Sequence, residues 1–208
     1  MPTALWFERQ HMIAILILAA GRSSRMRGED KLLQKIDGTP QLTRVTQVAL
    51  ATGAEVYVAL GPDDNKRADV LPTKTQIISV HNAKDGMGAS IAAGVSRLPE
   101  DIQSVMATPA DMPELTQDDL MKMLVKSQDH PTAILRATGA GKTGHPVVFP
   151  RACFSKLVQL TGDIGARSVV AESGLKVVSV PLPDVHALTD LDTPEDWENW
   201  RNRRSDDS

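Results

Sequence analysis

The chain has 208 residues, enough for one domain with a well-buried core, and its composition gives no ground for a second. A formal net charge of -3 excludes the strongly basic face that nucleic acid or an anionic membrane surface would require, so neither partner is expected. A single cysteine, Cys153, excludes an intramolecular disulfide and a cysteine-based zinc site, and the apolar run Met12 to Ala20 is too short for a bilayer, so a cytoplasmic protein is expected.

Residues 1–11 match no element and read as an extension ahead of one domain over 12–201, with 202–208 a polar tail that frays after Trp200. Ile13 to Leu18 is an unbroken apolar run, the pattern of a strand buried on both faces. Ala19-Ala20-Gly21 follows as a small-residue turn, then a basic loop with Arg22, Arg25 and Lys31. Thr39-Pro40 predicts an N-cap with proline at the first helical position; the Leu42/Val45/Ala49 stripe predicts the helix and Gly53 its end. Glu55 to Leu60 and Gln76 to Val80 read as strands, and Gly86 to Arg97 as a helix entered through a second glycine-rich turn. Val105 to Thr108 is a short strand leading to Asp111, and Thr116 caps a helix over Gln117 to Lys126. Thr132 to Ala137 and Pro146 to Phe149 are strands, Cys153 a core residue at a helix start, Asp163 to Glu172 a helix and Leu175 to Val180 a strand. Thr193-Pro194-Glu195-Asp196 is a capping box that opens the last helix, with Trp197 and Trp200. Such alternation selects an α/β fold, a mainly parallel sheet with helices on both faces.

Open sheets of this kind bind ligands at the carboxyl ends of their strands, and four motifs fall at such ends: Ala19 to Lys31, Gly86 to Ser90, Asp111, and the pair Asp190/Asp192. The turn amides of Ala19-Ala20-Gly21 can form an anion nest, and a guanidinium and an ammonium can neutralise a triphosphate that would repel a nucleophile. Asp111 stands between Pro109 and Pro113, which fix the backbone around its carboxylate. Magnesium needs only one or two protein carboxylates beside phosphate oxygens and water, so Asp111 with either Asp190 or Asp192 suffices. A lone loop aspartate is as readily a turn former or a cap; the ordered set of motifs is what weighs toward a site. Gly141-Lys142-Thr143 resembles the end of a Walker A loop, but its first glycine would fall on Arg136, and the segment reads better as a hairpin turn between two strands.

Six motifs in order, Leu18-Ala-Ala-Gly-x-Ser-x-Arg-Met with Lys31-Leu-Leu, Asn82 with Gly86-Met87-x-x-Ser90, Asp111-Met112-Pro113, Gly144-His145-Pro146-Val147, Gly162 to Arg167, and Asp190 to Asp196, resemble the MobA-like nucleotidyltransferases. Within them the likeness is greatest to the molybdenum cofactor cytidylyltransferase branch, and it runs from about Ile13 to Trp200. The resemblance implies a three-layer α/β/α sandwich of the nucleotide-diphospho-sugar transferase, Rossmann-like type. It implies that Ala19, Ala20 and Gly21 contact base and phosphate, that Asn82, Gly86, Met87 and Ser90 line the nucleotide pocket, and that Arg25 and Lys31 clamp the triphosphate. Asp111 is then the main magnesium ligand, with Asp190 preferred to Asp192 as the second because it comes first after the strand. His145, Asp163 and Arg167 fall in the acceptor-side motifs, although Asp163 as a helix cap and His145 as a strand-edge filler weigh about as much. The implied reaction joins CTP and molybdenum cofactor with release of pyrophosphate, and the implied protein partner is a molybdoenzyme or its chaperone.

The chain departs from the family where Arg27 precedes Gly28, which offers one more phosphate contact, where Pro109 replaces a common apolar residue, and where Ala83 replaces a common proline. Rival readings are a guanylyl or sugar-phosphate nucleotidyltransferase, a glycosyltransferase, and a nucleotide-binding regulator that has lost catalysis. The retained Arg25, Lys31, Asp111 and Asp190/Asp192 weigh against that loss. Ala20, where guanylyl-transferring relatives tend to have a second glycine, leads us to expect CTP over GTP.

Overall fold

The computed structural model describes residues 12–162 and 165–206. In chain order the elements are β1 (Ile13–Leu18), β2 (Lys35–Ile36), β3 (Thr39–Pro40), α1 (Gln41–Leu50), β4 (Glu55–Leu60), α2 (Asn65–Ala68), β5 (Gln76–Ser79) and α3 (Met87–Val95). There follow β6 (Ser104–Pro109), α4 (Gln117–Asp129), β7 (Ile134–Gly139), β8 (Lys142–Pro150), α5 (Phe154–Leu157), α6 (Arg167–Glu172), β9 (Val177–Pro181) and α7 (Pro194–Asp206). The main sheet has seven strands in the order β5-β4-β1-β6-β8-β7-β9, and β8 alone among them runs against its neighbours.

The continuous apolar run of β1 takes the central place because it has side chains to bury on both faces. Ile13, Ile15 and Ile17 point into the layer that holds Leu42 and Val45 of α1 and Leu120 and Met123 of α4. Ala14 and Leu16 point into the opposite layer, with Ile91 and Val95 of α3 and Phe149, Cys153 and Leu157. The result is the three-layer α/β/α sandwich of the nucleotide-diphospho-sugar transferase fold. No helix among the described residues is long and apolar enough to cross a membrane.

Two readings need correction. Thr39-Pro40 does not open α1 with proline inside the helix: the pair forms β3 against β2, and Pro40 is the N-cap. The hairpin is favoured because Asp37 and Gly38 both adopt positive φ, 50° and 81°, the geometry of a tight turn. The chain after Trp200 does not fray at once, since α7 continues to Asp206 and Arg204 pairs with Asp37 on that hairpin. The fate of Met26 and the two tryptophans is also new. Met26, Ile36, Leu191, Trp197 and Trp200 make a third, small core that fastens the loop after β1 to α7. The reading of Gly141 as a hairpin turn holds: Ala140 and Gly141 sit at φ 46° and 76° between β7 and β8.

Candidate active site

Register assembles the site. Leu18 pairs with Pro109 across β1 and β6, so the turn Ala19-Ala20-Gly21 and the loop carrying Asp111 leave the sheet side by side. The buried Gln41 holds that second loop by donating to the Ala110 carbonyl at 2.9 Å, and the Leu191 amide donates to the Asp111 carbonyl at 3.1 Å. The latter bond draws Asp190 and Asp192 to the same strand end. The His145 amide donates to the Ala187 carbonyl at 2.9 Å, and a Cβ on Gly144 would lie 1.9 Å from that oxygen, so the glycine before His145 is required by close backbone packing.

The charged groups predicted to act together do meet. Lys31 Nζ donates to Asp111 Oδ2 and, at 2.7 Å, to Asp192 Oδ1, while Arg25 reaches Asp192 Oδ2 at 2.9 Å. Burial lowers the Lys31 pKa, but the charges and hydrogen bonds of Asp111 and Asp192 outweigh it and raise the ammonium above its ordinary value. Burial, then the charges of Asp111 and Asp192, push the Asp190 carboxyl up. Asp111 Oδ1 is buried without a hydrogen-bond partner. A buried carboxylate oxygen with nothing to satisfy it, next to a second carboxylate whose pKa is raised by burial and like charge, is a donor set that a cation would complete. Among the described residues no group of three His, Cys, Asp or Glu side chains could enclose a metal, so remaining ligands would have to come from substrate and water.

A cavity of about 360 Å³ opens here, lined by Ala19, Ala20, Gly21, Gly86, Met87 and Ser90 on one side and by Arg22, Arg25, Lys31 and Asp111 on the other. A Cβ on Gly21 would meet nothing within 4 Å, and its φ is not in the left-handed region. Neither the backbone nor the packing of the protein demands glycine there; the absent side chain leaves space for a ligand to reach the main chain. A second cavity of about 410 Å³ adjoins it, sharing Leu18 and Met87 and carrying Arg136, His145 and Arg167. A third, of about 400 Å³, joins the two and is lined by Arg136, His145 and Arg167 as well as by Lys31, Asp111, Asp190 and Asp192. Burial, then the charge of Arg136 and more weakly that of Arg167, lower the His145 pKa against the opposing charge of Asp111, which favours the neutral ring.

One predicted residue is not brought in, and one falls outside the described residues. Asn82 is exposed at the start of the turn Ala83–Asp85, makes no side-chain cap bond and lines none of these cavities. Asp163 lies outside the described residues. Arg27 pairs with Glu195 at the start of α7 and lines none of these cavities.

Sequence reasoning also missed Arg67. Its guanidinium, only 4 % exposed, binds Asp30 through two nitrogens at 2.7 and 2.8 Å. It also donates to the carbonyls of Ala19 and Gly21 at 2.6 and 2.7 Å and to Ser23 Oγ at 3.1 Å. One side chain thus holds both ends of the glycine turn and the loop behind it. No sequence signal announces this, since Asp63-Asp64-Asn65-Lys66-Arg67 has the composition of a solvated surface turn. Lys84 also lines the first cavity. Arg136 was detectable in principle: it is a lone charge in the apolar strand Ala133-Ile134-Leu135-Arg136-Ala137, in a sheet covered on both faces.

The chain is 25% identical over 201 residues to the purine catabolism protein PucB of Bacillus subtilis (strain 168), covering 91% of this chain and 96% of that one. It is 27% identical over 198 residues to a probable molybdenum cofactor guanylyltransferase of Natronomonas pharaonis, covering 91% and 97%. Among solved structures, Rv0371c of Mycobacterium tuberculosis H37Rv superposes with a TM-score of 0.81 at 25% identity, covering 93% of this chain and 99% of that one. The same protein in complex with manganese gives a TM-score of 0.76 at 23% identity, covering 90% and 97%. Residues 15–177 match the MobA-like NTP transferase domain, the span that holds the glycine turn, the lysine and the strand-end aspartate, and so the chain belongs to the MobA-like NTP transferase family and is a nucleotidyltransferase.

Proposed function

We propose that this nucleotidyltransferase moves CMP from CTP onto the terminal phosphate of molybdenum cofactor and releases pyrophosphate. The observation that carries the transfer reading is the junction of Lys31, Arg25, Asp111 and Asp192 at the ends of β1 and β6, with one Asp111 oxygen uncommitted. The molybdenum cofactor guanylyltransferase name of the Natronomonas relative supports the acceptor.

The chain's own residues have a defined task in such a step. A phosphate monoester is largely dianionic at neutral pH, because its second pKa is about 6, so the acceptor needs no general base to attack the α-phosphorus. The α–β P–O bond breaks and its electrons leave with pyrophosphate. Lys31 and Arg25, held before binding by Asp111 and Asp192, exchange those carboxylates for the β- and γ-phosphate oxygens and offset the charge that builds there. Before the nucleotide arrives, Asp111 and Asp192 raise the Lys31 pKa and favour its charged form. Asp111 and Asp190 would hold a divalent cation, magnesium in our reading, whose chemistry is to neutralise phosphate oxygens. Asp190 is our choice over Asp192 because it comes first after the strand and, among the described residues, makes no ion pair, whereas Asp192 holds Lys31 and Arg25 before the nucleotide binds. Ala19 to Gly21, Gly86, Met87 and Ser90 seat the nucleotide. Cys153, free and buried, is compatible with the reducing cytoplasm, where we place the reaction.

The test is pyrophosphate release from each of the four common nucleoside triphosphates, with and without molybdenum cofactor. Release with CTP that depends on the cofactor is expected. A second reading, GTP as donor, is favoured by the guanylyltransferase name of the same relative, and a GTP preference in this assay would establish it. Nucleotide binding with no release under any combination would leave a regulator.

A further inference from the structure

The second cavity has an uneven lining. Leu18, Ile91, Ala107, Val147, Phe149 and Val170 give it an apolar wall. Arg136, His145 and Arg167 line this cavity and also the one that contains Lys31, Asp111 and Asp190, so they stand at the passage between the apolar space and the reaction centre. Arg136 projects from β7, where it pairs with Val147, and the register with β8 slips between Arg136 and Thr138. A bulge of that kind re-aims side chains near an active site. Arg136 Nε is buried without a hydrogen-bond partner, and among the described residues neither the Arg136 nor the Arg167 side chain makes a hydrogen bond or ion pair. Arg136 is half-buried and Arg167 exposed, whereas the more deeply buried cations at this strand end are engaged by carboxylates: Lys31 by Asp111 and Asp192, Arg67 by Asp30 and Asp64. Leaving a guanidinium nitrogen buried and unsatisfied is costly, and such a group persists where a ligand completes it.

We propose that Arg136, which no motif marks, is the principal ligand of the acceptor's terminal phosphate, with Arg167 beside it, and that the cavity behind takes a flat, largely apolar body in preference to a polyhydroxylated one. This rests on the reading of the second cavity as the acceptor site. A planar guanidinium matches a phosphate with two parallel hydrogen bonds. At the passage, a phosphate so held faces the α-phosphorus of a nucleotide in the first cavity, and the body attached to it fills the apolar space. The wall offers nothing for the hydroxyls of a sugar, which would lose their hydrogen bonds to water on entry.

The experiment measures equilibrium binding of 1-naphthyl phosphate, 1-naphthol and ribose 5-phosphate by ligand-observed NMR, in the full chain and in Arg136→Met and Arg136→Lys, with CTP binding and thermal midpoint measured alongside. Wild-type protein should bind 1-naphthyl phosphate at least about tenfold tighter than 1-naphthol, the worth of one charge-assisted contact. It should also prefer 1-naphthyl phosphate to ribose 5-phosphate. Arg136→Met should erase the advantage over naphthol while naphthol and CTP binding stay within about twofold, and Arg136→Lys should restore part of it. Retention of the full advantage in Arg136→Met overturns the proposal, as does a wild type that does not distinguish the phosphate from the alcohol. So does an equal loss of both naphthyl compounds in the two variants, which would make Arg136 a support of the strand; preference for ribose 5-phosphate would overturn the apolar half. Because no turnover enters this readout, Arg136-dependent binding without pyrophosphate release from any triphosphate would sink the transfer reading alone.

Discussion

The two halves of the cleft solve the problem of charge differently. On the β1 side the buried ionic groups are committed inside the protein, Lys31 to two aspartates and Arg67 to Asp30 and to the backbone of the glycine turn, with Arg25 held by Asp192; only Arg22 and Lys84 of the lining cations have no ion pair among the described residues. On the β7–β8 side, Arg136 and Arg167 are uncommitted among the described residues and stand before an apolar wall. A frame whose charges are paired is already ordered before the nucleotide arrives, so little conformational entropy is left to lose, although existing ion pairs must be exchanged. An uncommitted cation forfeits no internal partner when it takes an anion, but it leaves the empty site electrostatically unfavourable. The first half is therefore built for placement, the second for capture.

This contrast can be broken most decisively at the metal position. Asp111→Asn should lower the transfer rate by at least about a thousandfold while leaving the thermal midpoint near the parent's, since it removes a cation ligand and a Lys31 partner without touching the apolar core. Parent-like pyrophosphate release would remove Asp111 from the chemistry.

Next in size is the frame itself. Arg67→Met leaves Asp30 half-buried beside a broken ion pair and frees the carbonyls of Ala19 and Gly21. A loss of about 2–4 kcal/mol is expected in denaturant unfolding, together with a raised KM for the triphosphate. A stable variant with normal nucleotide affinity would show that the turn needs no such support. Lys31→Ala should reduce kcat/KM for the triphosphate by about ten- to hundredfold, because the charge that offsets the leaving pyrophosphate is gone. Kinetics equal to the parent's would make the Lys31 network purely structural.

A finer test concerns the base. Ala20 is buried at the turn and lines the nucleotide cavity, so Ala20→Gly should relax a CTP preference by at most about ten- to hundredfold, the discrimination that one methyl supplies. Side-by-side rates with CTP and GTP measure it. The smallest effect is on acid stability. Burial raises the Asp30 pKa, but the hydrogen bonds and charge of Arg67, the Leu32 amide and Ser23 together bring it below its ordinary 3.8. A depressed folded-state pKa gives stability that is complete above the unfolded value and is lost as the pH falls through the folded one. Asp30→Asn should therefore show a flatter acid limb in a thermal-midpoint titration below about pH 4; an unchanged limb would mean that the Arg67 pair adds no pH-dependent stability.

Much of this architecture was legible in the chain. The unbroken run Ile13 to Leu18, the Glu55 to Leu60 strand, the Thr116 and Thr193 caps and the hairpin at Gly141 follow from local rules of burial period, capping and turn geometry. The co-location of Lys31 with Asp111 and Asp192 was legible through the ordered motifs. What local rules got wrong, they got wrong for tertiary reasons: Thr39-Pro40 has the look of a helix start but finds a strand partner in Lys35-Ile36, and the polar end after Trp200 stays helical because Arg204 has Asp37 to reach.

By itself, then, the sequence determined the α/β sandwich and the strand ends at which the glycine turn, Lys31 and Asp111 lie, because these depend on spacing along one chain. Only the tertiary structure decided that Arg67 holds the glycine turn from 46 residues away, that Arg27 pairs with Glu195, that Asp192 is occupied while one oxygen of Asp111 is not, and that Arg136 stands between two cavities. The physical reason is common to all four. A charged side chain takes its role from the partner that burial forces on it or withholds from it, and which partner lies within reach is fixed by how distant strand ends are brought together.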